Sequence, residues 1–292
     1  MTSGFRLRFV AMCILLIAVL PLALGQGVHA WWIGGHKIFT LGAAAKLPDD
    51  VPAFFREAAA DIADAAAEPD DWKVNLTPHL KASEHPEHYL DLEYLEGQPI
   101  PEQRYDMLKY YYTKGIDPNK GGLLPYAIQD GYERLLLAFR DYRTRPDSKA
   151  VRERIVVYAG ILAHYCQDAT MPLHMTKEYD GKPDARGVIQ QKGIHARIDA
   201  YPEKNGFTPE MVNKDLVAEP VASIWPLLTK TIATTFGHVG RCYELDAAGA
   251  FEQQPQQGKE FILERSRAAT KLTMDIWYSA WKNSAQEAPA GK

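Results

Sequence analysis

The chain has 292 residues, of which 46% are hydrophobic and 24% charged, and its formal net charge at pH 7 is −4. This size and composition fit one globular domain built around a single core, without repeats or low-complexity tracts. The mildly negative charge excludes the basic surface with which proteins usually hold duplex nucleic acid by its phosphates.

The first 30 residues are typical of a secretory signal peptide. Arg6 and Arg8 precede an apolar run over residues 9–24, and small residues occupy positions −3 and −1 of a cleavage point after Ala30. The run of about 16 residues is short for a membrane span, and no later segment reaches the ~20 apolar residues that a span needs. We therefore expect a secreted or periplasmic protein whose mature chain starts at Trp31 and has no transmembrane span.

Helical patterns dominate the rest of the chain. Apolar spacing near 3.6 residues and the cap residues predict helices over several segments. These are residues 36–47, 50–67, 101–114, 123–142, 149–171, 212–236 and 259–281. Polar loops are expected over 68–87 and 178–193, and period-two alternation is scarce. The sequence thus predicts an all-α protein with a signal peptide (1–30), a single multi-helix domain (31–285) and a flexible tail (286–292).

The helix predicted over 149–171 carries histidine and aspartate among apolar residues. His164 and Asp168 are four residues apart, about 40° of rotation, so both side chains can reach one ion. Pro172 should end the helix near Met171 and direct His174 elsewhere, toward a second metal. An isolated histidine and aspartate at this spacing more often form a hydrogen bond with each other inside a core than bind a metal. The other candidate ligands therefore decide between the two interpretations.

The same histidine-aspartate spacing recurs at His195 and Asp199, after the loop 178–193. The further candidates precede the central helix and are the mature amino terminus at Trp31, His36, Asp70 or Asp71, and His88. Spacing does not separate Asp70 from Asp71. His79 and His85 could replace His88, although only His88 is followed by an aromatic residue and an aspartate.

The donor chemistry of this set points to hydrolysis. Imidazole and carboxylate without thiolate are typical of hydrolytic zinc, and they also suit manganese or iron. Cys166 and Cys242 could form a disulfide, but the apolar helix around Cys166 favours a buried free thiol. So many ligands exceed the needs of one ion and predict a cluster, and hydrolytic clusters most often act on phosphate esters.

Five motifs follow one another over residues 31–199. They are Trp31 to His36, Asp70, His88-Tyr89-Leu90-Asp91, His164 to His174, and His195 to Asp199. Their order resembles that of the zinc-dependent phospholipase C and single-strand-specific nuclease superfamily. That superfamily binds zinc through the amine and carbonyl of a processed amino-terminal tryptophan. The signal-peptide pattern places the mature terminus at the same residue, Trp31, without reference to metals.

The resemblance implies three zinc ions in a cleft of an all-α domain. The first would be held by Asp70, His88, His164 and Asp168, the second by His174, His195 and Asp199, and the third by Trp31, His36 and a bridging Asp168. Zinc lowers the pKa of bound water toward ~7, so a shared hydroxide can attack phosphorus at neutral pH. Asp70 would also be the catalytic residue that orients the attacking water.

The residues around the last site leave the substrate class open. Gly193 and Ile194 before His195 are closer to the bacterial phospholipases of the superfamily, whereas Asp199 as last ligand matches the nucleases. We therefore expect an exported, phospholipase C-like phosphodiesterase acting on a phospholipid headgroup. Hydrolysis of single-stranded nucleic acid is the alternative, and a non-catalytic zinc-binding protein is a third hypothesis. No protein partner is indicated.

Overall fold

The computed structural model describes residues 31–253 and 255–286. Residues 1–30, the expected signal peptide, lie outside the described residues, as do residues 287–292 of the expected tail. The chain forms one mostly helical domain with 65% helix and 2% strand, which confirms the all-α prediction. No helix among the described residues is long and apolar enough to cross a bilayer.

The α-helices vary in length from one turn to eight. In chain order they are α1 (Ile33–Ala44), α2 (Ala53–Glu57), α3 (Ala59–Ala65), α4 (Glu68–Asp71), α5 (Pro78–Glu84), α6 (Arg104–Lys114), α7 (Pro118–Gly121), α8 (Leu124–Thr144), α9 (Lys149–Asp168), α10 (Ile194–Asp199), α11 (Tyr201–Lys204), α12 (Pro209–Val212), α13 (Ile224–Phe236), α14 (Val239–Ala247) and α15 (Pro255–Asn283). Short 3-10 helices occupy His85–His88, Leu92–Leu95 and Pro172–His174. Strands β1 (Lys182–Pro183) and β2 (Ile189–Gln190) form a small antiparallel hairpin.

The longest helices lie close to the predicted segments, and the departures have local causes. The prediction of a loop over 68–87 is wrong, because this segment contains α4 and α5. Pro69 and Pro78 stand in the first turn of these helices, where the missing N–H has no intrahelical partner to lose. The single helix predicted over 50–67 is divided at Ala58, whose ψ of 13° leaves the helical region.

Helix α9 occupies the centre of the domain and packs against α1, α3, α8 and α15. Gly160 allows its close approach to α3, because a Cβ at this position would lie 2.5 Å from the Cβ of Ala65 and 2.6 Å from the carbonyl oxygen of Ile62. One turn further along α9 stands His164. The glycine therefore brings this histidine within reach of the end of α3.

Two apolar clusters meet at the carboxyl end of α9. The larger cluster surrounds α8, α9 and α15 and contains Cys166 and Trp277. The smaller one contains Trp31 and Cys242, together with apolar residues next to His174 and His195. Both cysteines are buried free thiols. The candidate ligands thus lie along the boundary between the two clusters.

Candidate metal centre

The structure gathers buried histidine and aspartate side chains into three groups. In each group the donor atoms lie within 4.8 Å of one another. The groups are His36, His164 and Asp168; Asp70, His88 and His164; and His174, His195 and Asp199. Among the sequence-predicted site residues, only Trp31 contributes no side chain to a group. Each group could hold a metal ion, and the first two form one continuous cluster because His164 is shared.

Asp70 rather than Asp71 lies within the cluster. Asp70 is fully buried, whereas Asp71 is exposed on the same short helix. His88 is likewise buried in the cluster, and His79 is exposed. Tertiary packing thereby separates residues whose spacing in the sequence is equally suitable.

Asp168 stands at the junction of the groups. Its Oδ1 lies 3.6 Å from Nε2 of His36 and 3.7 Å from Nδ1 of His174. Its Oδ2 lies 3.1 Å from Nδ1 of His88 and 3.4 Å from Nε2 of His164. The two oxygens of this carboxylate therefore face different imidazoles, as a carboxylate does when it bridges two metals.

Two of the imidazoles are oriented by hydrogen bonds on their remote nitrogens. Nδ1 of His164 lies 2.8 Å from the carbonyl oxygen of Ala66, and Nδ1 of His36 lies 2.6 Å from Oε1 of Gln167. Both acceptors require a proton on Nδ1, so Nε2 carries the free lone pair in each ring. Gln167 is itself oriented by donation to the hydroxyl of Thr40 at 2.9 Å. This is the arrangement that fixes the tautomer of a metal-binding histidine.

The third group is built by the turn after α9 and by helix α10. Nε2 of His174 lies 3.1 Å from Nε2 of His195, which in turn lies 3.0 Å from Oδ2 of Asp199. Gly193 precedes α10 with φ of +86°, a left-handed conformation that glycine adopts without steric cost. The glycine before Ile194 is therefore explained by backbone geometry.

Helix α10 is tied to α14 by a paired salt bridge. Arg197 donates to both carboxylate oxygens of Asp246, at 2.7 and 2.9 Å. A planar guanidinium that meets a carboxylate through two parallel bonds holds a defined orientation. Because Arg197 lies midway between His195 and Asp199, this bridge orients both side chains of the third group.

Lys73 brings a positive charge into the cluster. Its Nζ lies 2.7 Å from Oδ1 of Asp70 and 3.3 Å from Nδ1 of His88, and its side chain is only 9% exposed. Burial opposes ionisation of Asp70, but the charge of Lys73 prevails and lowers the pKa of this carboxyl below its ordinary value. Asp70 is therefore a carboxylate at neutral pH.

The donor atoms fit a metal better than they fit one another. Nε2 of His36 and Oδ1 of Asp168, which face each other at 3.6 Å, are both buried without a hydrogen-bond partner. Such atoms are rare in folded proteins and call for a missing partner. Two donors on one tetrahedral zinc are roughly 3.3 Å apart, which is close to the separations measured around Asp168. The residues present thus fit a metal cluster.

Burial keeps most of these imidazoles neutral, as metal binding requires. It lowers the pKa of His36 and of His164 to about 4. Burial raises the pKa of Asp199 to about 6. Although burial also opposes protonation of His195, the neighbouring Asp199 raises its pKa above the ordinary value. A proton is therefore shared near neutral pH by His195 and Asp199.

Trp31 lies beside the cluster through contacts of its side chain. Its indole N–H donates to the carbonyl oxygen of Gln167 at 3.2 Å, and the ring meets Phe39 edge to face. The next residue, Trp32, donates its N–H to the carbonyl oxygen of Asp199. The segment at Trp31 therefore lies between two helices that carry candidate ligands.

The cluster opens onto a cavity of about 430 Å³. His88, His174 and His195 form its floor, and the remaining walls are mainly lysine and tyrosine. These wall residues include Lys73, Lys81, Lys120, Lys177, Tyr89, Tyr94, Tyr179, Asn119 and His85. Asp91 is the one acidic side chain in the lining, and burial together with nearby Glu93 raises its pKa to about 8. The cavity is therefore positive although the chain as a whole is negative.

The sequence did not single out Gln167, nor Lys81, Lys120 and Lys177 of the cavity wall, whereas Lys73 was noted as a cation three residues after Asp70. Gln167 had a weak signal, since it is a polar residue beside Asp168 in an otherwise apolar helix. The lysines come from separate parts of the chain and have no spacing in common.

No family model matches the chain, and no curated protein is significantly similar to it. The resemblance noted in the sequence therefore stands on its motifs. In its general features it agrees with the structure, which is all-helical and has three buried histidine-aspartate groups.

Proposed function

We propose that this protein is an exported phosphodiester hydrolase that uses three zinc ions. The observation that carries the proposal is Asp168, whose two oxygens face separate sets of imidazoles at 3.1–3.7 Å. A carboxylate so placed suits adjacent metals, and paired metals are typical of phosphate-ester hydrolysis because they contact both the attacking and the leaving oxygen.

The proposed ligand sets follow the three groups. Asp70, His88, His164 and Asp168 would hold the first zinc, and His174, His195 and Asp199 the second. The third would be held by His36 and Asp168 together with the amine and carbonyl of Trp31. Zinc bound there would supply Lewis acidity and lower the pKa of water.

Asp70 and Lys73 can orient the attacking water and bind the substrate phosphate. Asp70, kept ionised by Lys73, can accept a hydrogen bond from the attacking water and orient it. The ammonium of Lys73 lines the cavity beside His88, where it can pair with a phosphate oxygen of the substrate. Burial of the cluster excludes bulk water, which strengthens both interactions.

The cavity favours single-stranded nucleic acid over a phospholipid headgroup. Lysines attract a polyanionic strand, and tyrosines offer faces on which bases stack. The contrary argument in the sequence is Gly193, and its left-handed backbone accounts for that glycine without reference to substrate. Nuclease activity is therefore the better-supported form of the proposal.

One feature of the cavity, its tyrosine side chains beside Asp91, favours a phospholipid substrate. Tyr89, Tyr94 and Tyr179 line the cavity with Asp91, and aromatic faces beside a carboxylate can bind a quaternary ammonium group. Yet the pKa of Asp91 is raised to about 8, so this carboxyl is largely neutral at pH 7. The four lysines of the cavity also repel such a cation.

The proposal is tested by turnover of three substrates with and without chelator: bis(p-nitrophenyl) phosphate, single-stranded DNA and phosphatidylcholine. We expect the zinc-loaded protein to cleave the first two and to lose activity on chelation. His164→Ala and His174→Ala should lower turnover at least ~100-fold, whereas His79→Ala and His238→Ala, which lie outside the cluster, should change it less than about twofold. No turnover of any substrate by protein loaded with three zincs would favour a non-catalytic zinc-binding role.

A further inference from the structure

Beside the metal centre, the cavity meets a rim whose lining, among the described residues, holds no acidic side chain. A second depression of about 360 Å³ adjoins it and is lined by Asn75, Pro78, Lys81, Ala82, His85 and Asn119. Lys81, His85 and Asn119 line both spaces. The cavity and the depression are thus neighbours, and we call them together the groove; none of the candidate metal ligands lines the depression.

Two lysines enter this groove without a neutralising carboxylate. Nζ of Lys81 donates to the amide oxygen of Asn75 at 2.8 Å, an interaction with a neutral group. Lys120 makes no ion pair with any residue in the described part of the chain. Elsewhere several surface lysines are paired with acids, as Lys114 is with Glu96 at 2.6 Å. The charges of Lys81 and Lys120 therefore remain available to a ligand.

Hydrogen bonds hold the two sides of the groove together. The hydroxyl of Tyr89 donates to the carbonyl oxygen of Asn119 and lies 3.3 Å from Nδ1 of His85. Asp117 caps α7 by accepting the N–H of Asn119 at 2.9 Å. Because the segment that carries Lys120 is joined to the segment that carries His88, the rim keeps a set position relative to the metal centre.

We propose that Lys81 and Lys120 form a second phosphate subsite that binds a phosphate group of the substrate other than the one being cleaved. This inference rests on the proposed function and specifies its substrate, which is a strand with several phosphates. A single phosphodiester headgroup would leave the rim unused. The uncharged polar groups of Asn75 and Asn119 beside the lysines suit phosphate oxygens as additional donors.

The test is equilibrium binding of a phosphorothioate-linked oligothymidylate of eight residues, which resists hydrolysis, to the zinc-loaded protein. The double variant K81A/K120A should bind about tenfold more weakly at low salt. The slope of log affinity against log salt should fall by about 0.7 for each lysine that no longer neutralises a phosphate. The matched control is K46A/K230A, which removes two exposed lysines outside the groove and should bind within about twofold of wild type.

Turnover of bis(p-nitrophenyl) phosphate separates this proposal from the proposed function. With its single phosphate, this substrate should lose far less in K81A/K120A than the oligonucleotide does. Equal weakening of oligonucleotide binding by both double variants would overturn the subsite, because net charge alone would then explain it. The subsite would also be overturned if K81A/K120A lost binding to vesicles of phosphatidylglycerol and phosphatidylcholine but kept its binding to the oligonucleotide. The rim would then be assigned to a membrane surface. Failure of the wild type to hydrolyse bis(p-nitrophenyl) phosphate would instead refute the hydrolase while the binding result decides the subsite.

Discussion

Gln167 shows how a residue that binds no metal can determine whether its neighbour does. Its side-chain oxygen holds the proton of His36 on Nδ1, and its amide is fixed by Thr40. Removing this acceptor lets the imidazole rotate and exchange tautomers, which lowers its basicity toward a metal. Outer partners of this kind typically contribute 10–100-fold in metal affinity.

We therefore predict that Gln167→Met, which preserves volume, weakens the zinc at His36 about 10–100-fold. The other two zincs should be retained, because their ligands do not contact Gln167 through its side chain. Metal content after dialysis against graded zinc buffers measures the effect. Gln103→Met, at an exposed position, is the control. A variant that kept three equally tight zincs would show that the hydrogen bond has no such role.

The pH dependence of zinc binding should come from the pair of Asp199 and His195 and not from the imidazoles of His36 and His164. His36 and His164 have pKa values of about 4, so they are already neutral at pH 5.5. The Asp199–His195 pair keeps a proton near pH 6, and zinc must displace it. As the pH falls below neutrality, the affinity of this group for zinc should therefore fall about tenfold per pH unit.

Calorimetry of zinc binding in buffers of different ionisation enthalpy measures the protons released. Asp199→Asn should bind this zinc more weakly and lose one proton from the pH dependence. If the variant retained the wild-type slope with a midpoint near 6.5, ordinary imidazoles would be the titrating groups and the prediction would fail.

Among the helix contacts, the one between α9 and α3 positions the ligand His164. Gly160 permits the contact, and the carbonyl oxygen of Ala66 just beyond α3 then reaches His164. In an open helix, replacement of glycine by alanine stabilises the fold by up to about 1 kcal/mol. At position 160 the added Cβ would stand 2.5 Å from Ala65, and overpacking of this kind costs about 1–3 kcal/mol.

We predict that Gly160→Ala lowers the free energy of unfolding by about 1–2 kcal/mol and weakens the zinc held by His164. Urea denaturation and zinc titration measure the two effects. Gly240→Ala on α14 is the matched substitution, because among the described residues no atom beyond the helix's own backbone lies within 4 Å of the added Cβ, and it should be neutral or slightly stabilising. Equal behaviour of the two variants would contradict a packing role for Gly160.

At the scale of the whole molecule, binding of the third zinc at Trp31 should depend on removal of the signal peptide during export. The proposed third zinc would use the free amine that the predicted cleavage after Ala30 creates, because an acylated nitrogen has no lone pair for a metal. The buried indole of Trp31 holds this end of the chain beside α9. Processing would then keep the hydrolase inactive until it leaves the cytoplasm.

We predict that the mature chain with one extra methionine ahead of Trp31 binds one zinc fewer and hydrolyses bis(p-nitrophenyl) phosphate at least ~10-fold more slowly than the chain starting at Trp31. Both proteins are loaded with zinc and compared in metal content and turnover. An added residue on an ordinary surface terminus alters little. Equal metal content and turnover would thus refute the amino-terminal site.

The charge of the molecule is distributed in a way that composition does not reveal. The chain is negative overall, with a formal charge of −4, while four lysines converge on one cavity beside the metal groups. A cleft of one sign within a low-dielectric protein concentrates ligands of the opposite sign. The absence of a basic composition therefore argues against duplex binding and leaves binding of a strand in the cavity open.

What the sequence determined by itself are the features that follow from local periodicity. Helical spacing predicted α8, α9 and α15, and it placed His164 with Asp168, because residues four apart share a helix face whatever the tertiary fold. The same spacing marked His195 and Asp199, although no helix was predicted there. The donor types alone indicated a hydrolytic metal centre. Proline also signals helix starts, but the segment that contains Pro69 and Pro78 was predicted to be a loop. Helices as short as α4 and α5 depend on tertiary packing more than on intrinsic propensity.

Only the tertiary structure decided the relations between distant segments. It placed Asp70 and not Asp71 in the cluster, oriented His36 through Gln167, and turned the two oxygens of Asp168 toward different imidazoles. It also brought Lys81 and Lys120 to one groove. These relations depend on how helices pack across the core, where side-chain volumes such as the missing Cβ of Gly160 set the distances, and no spacing along the chain encodes them.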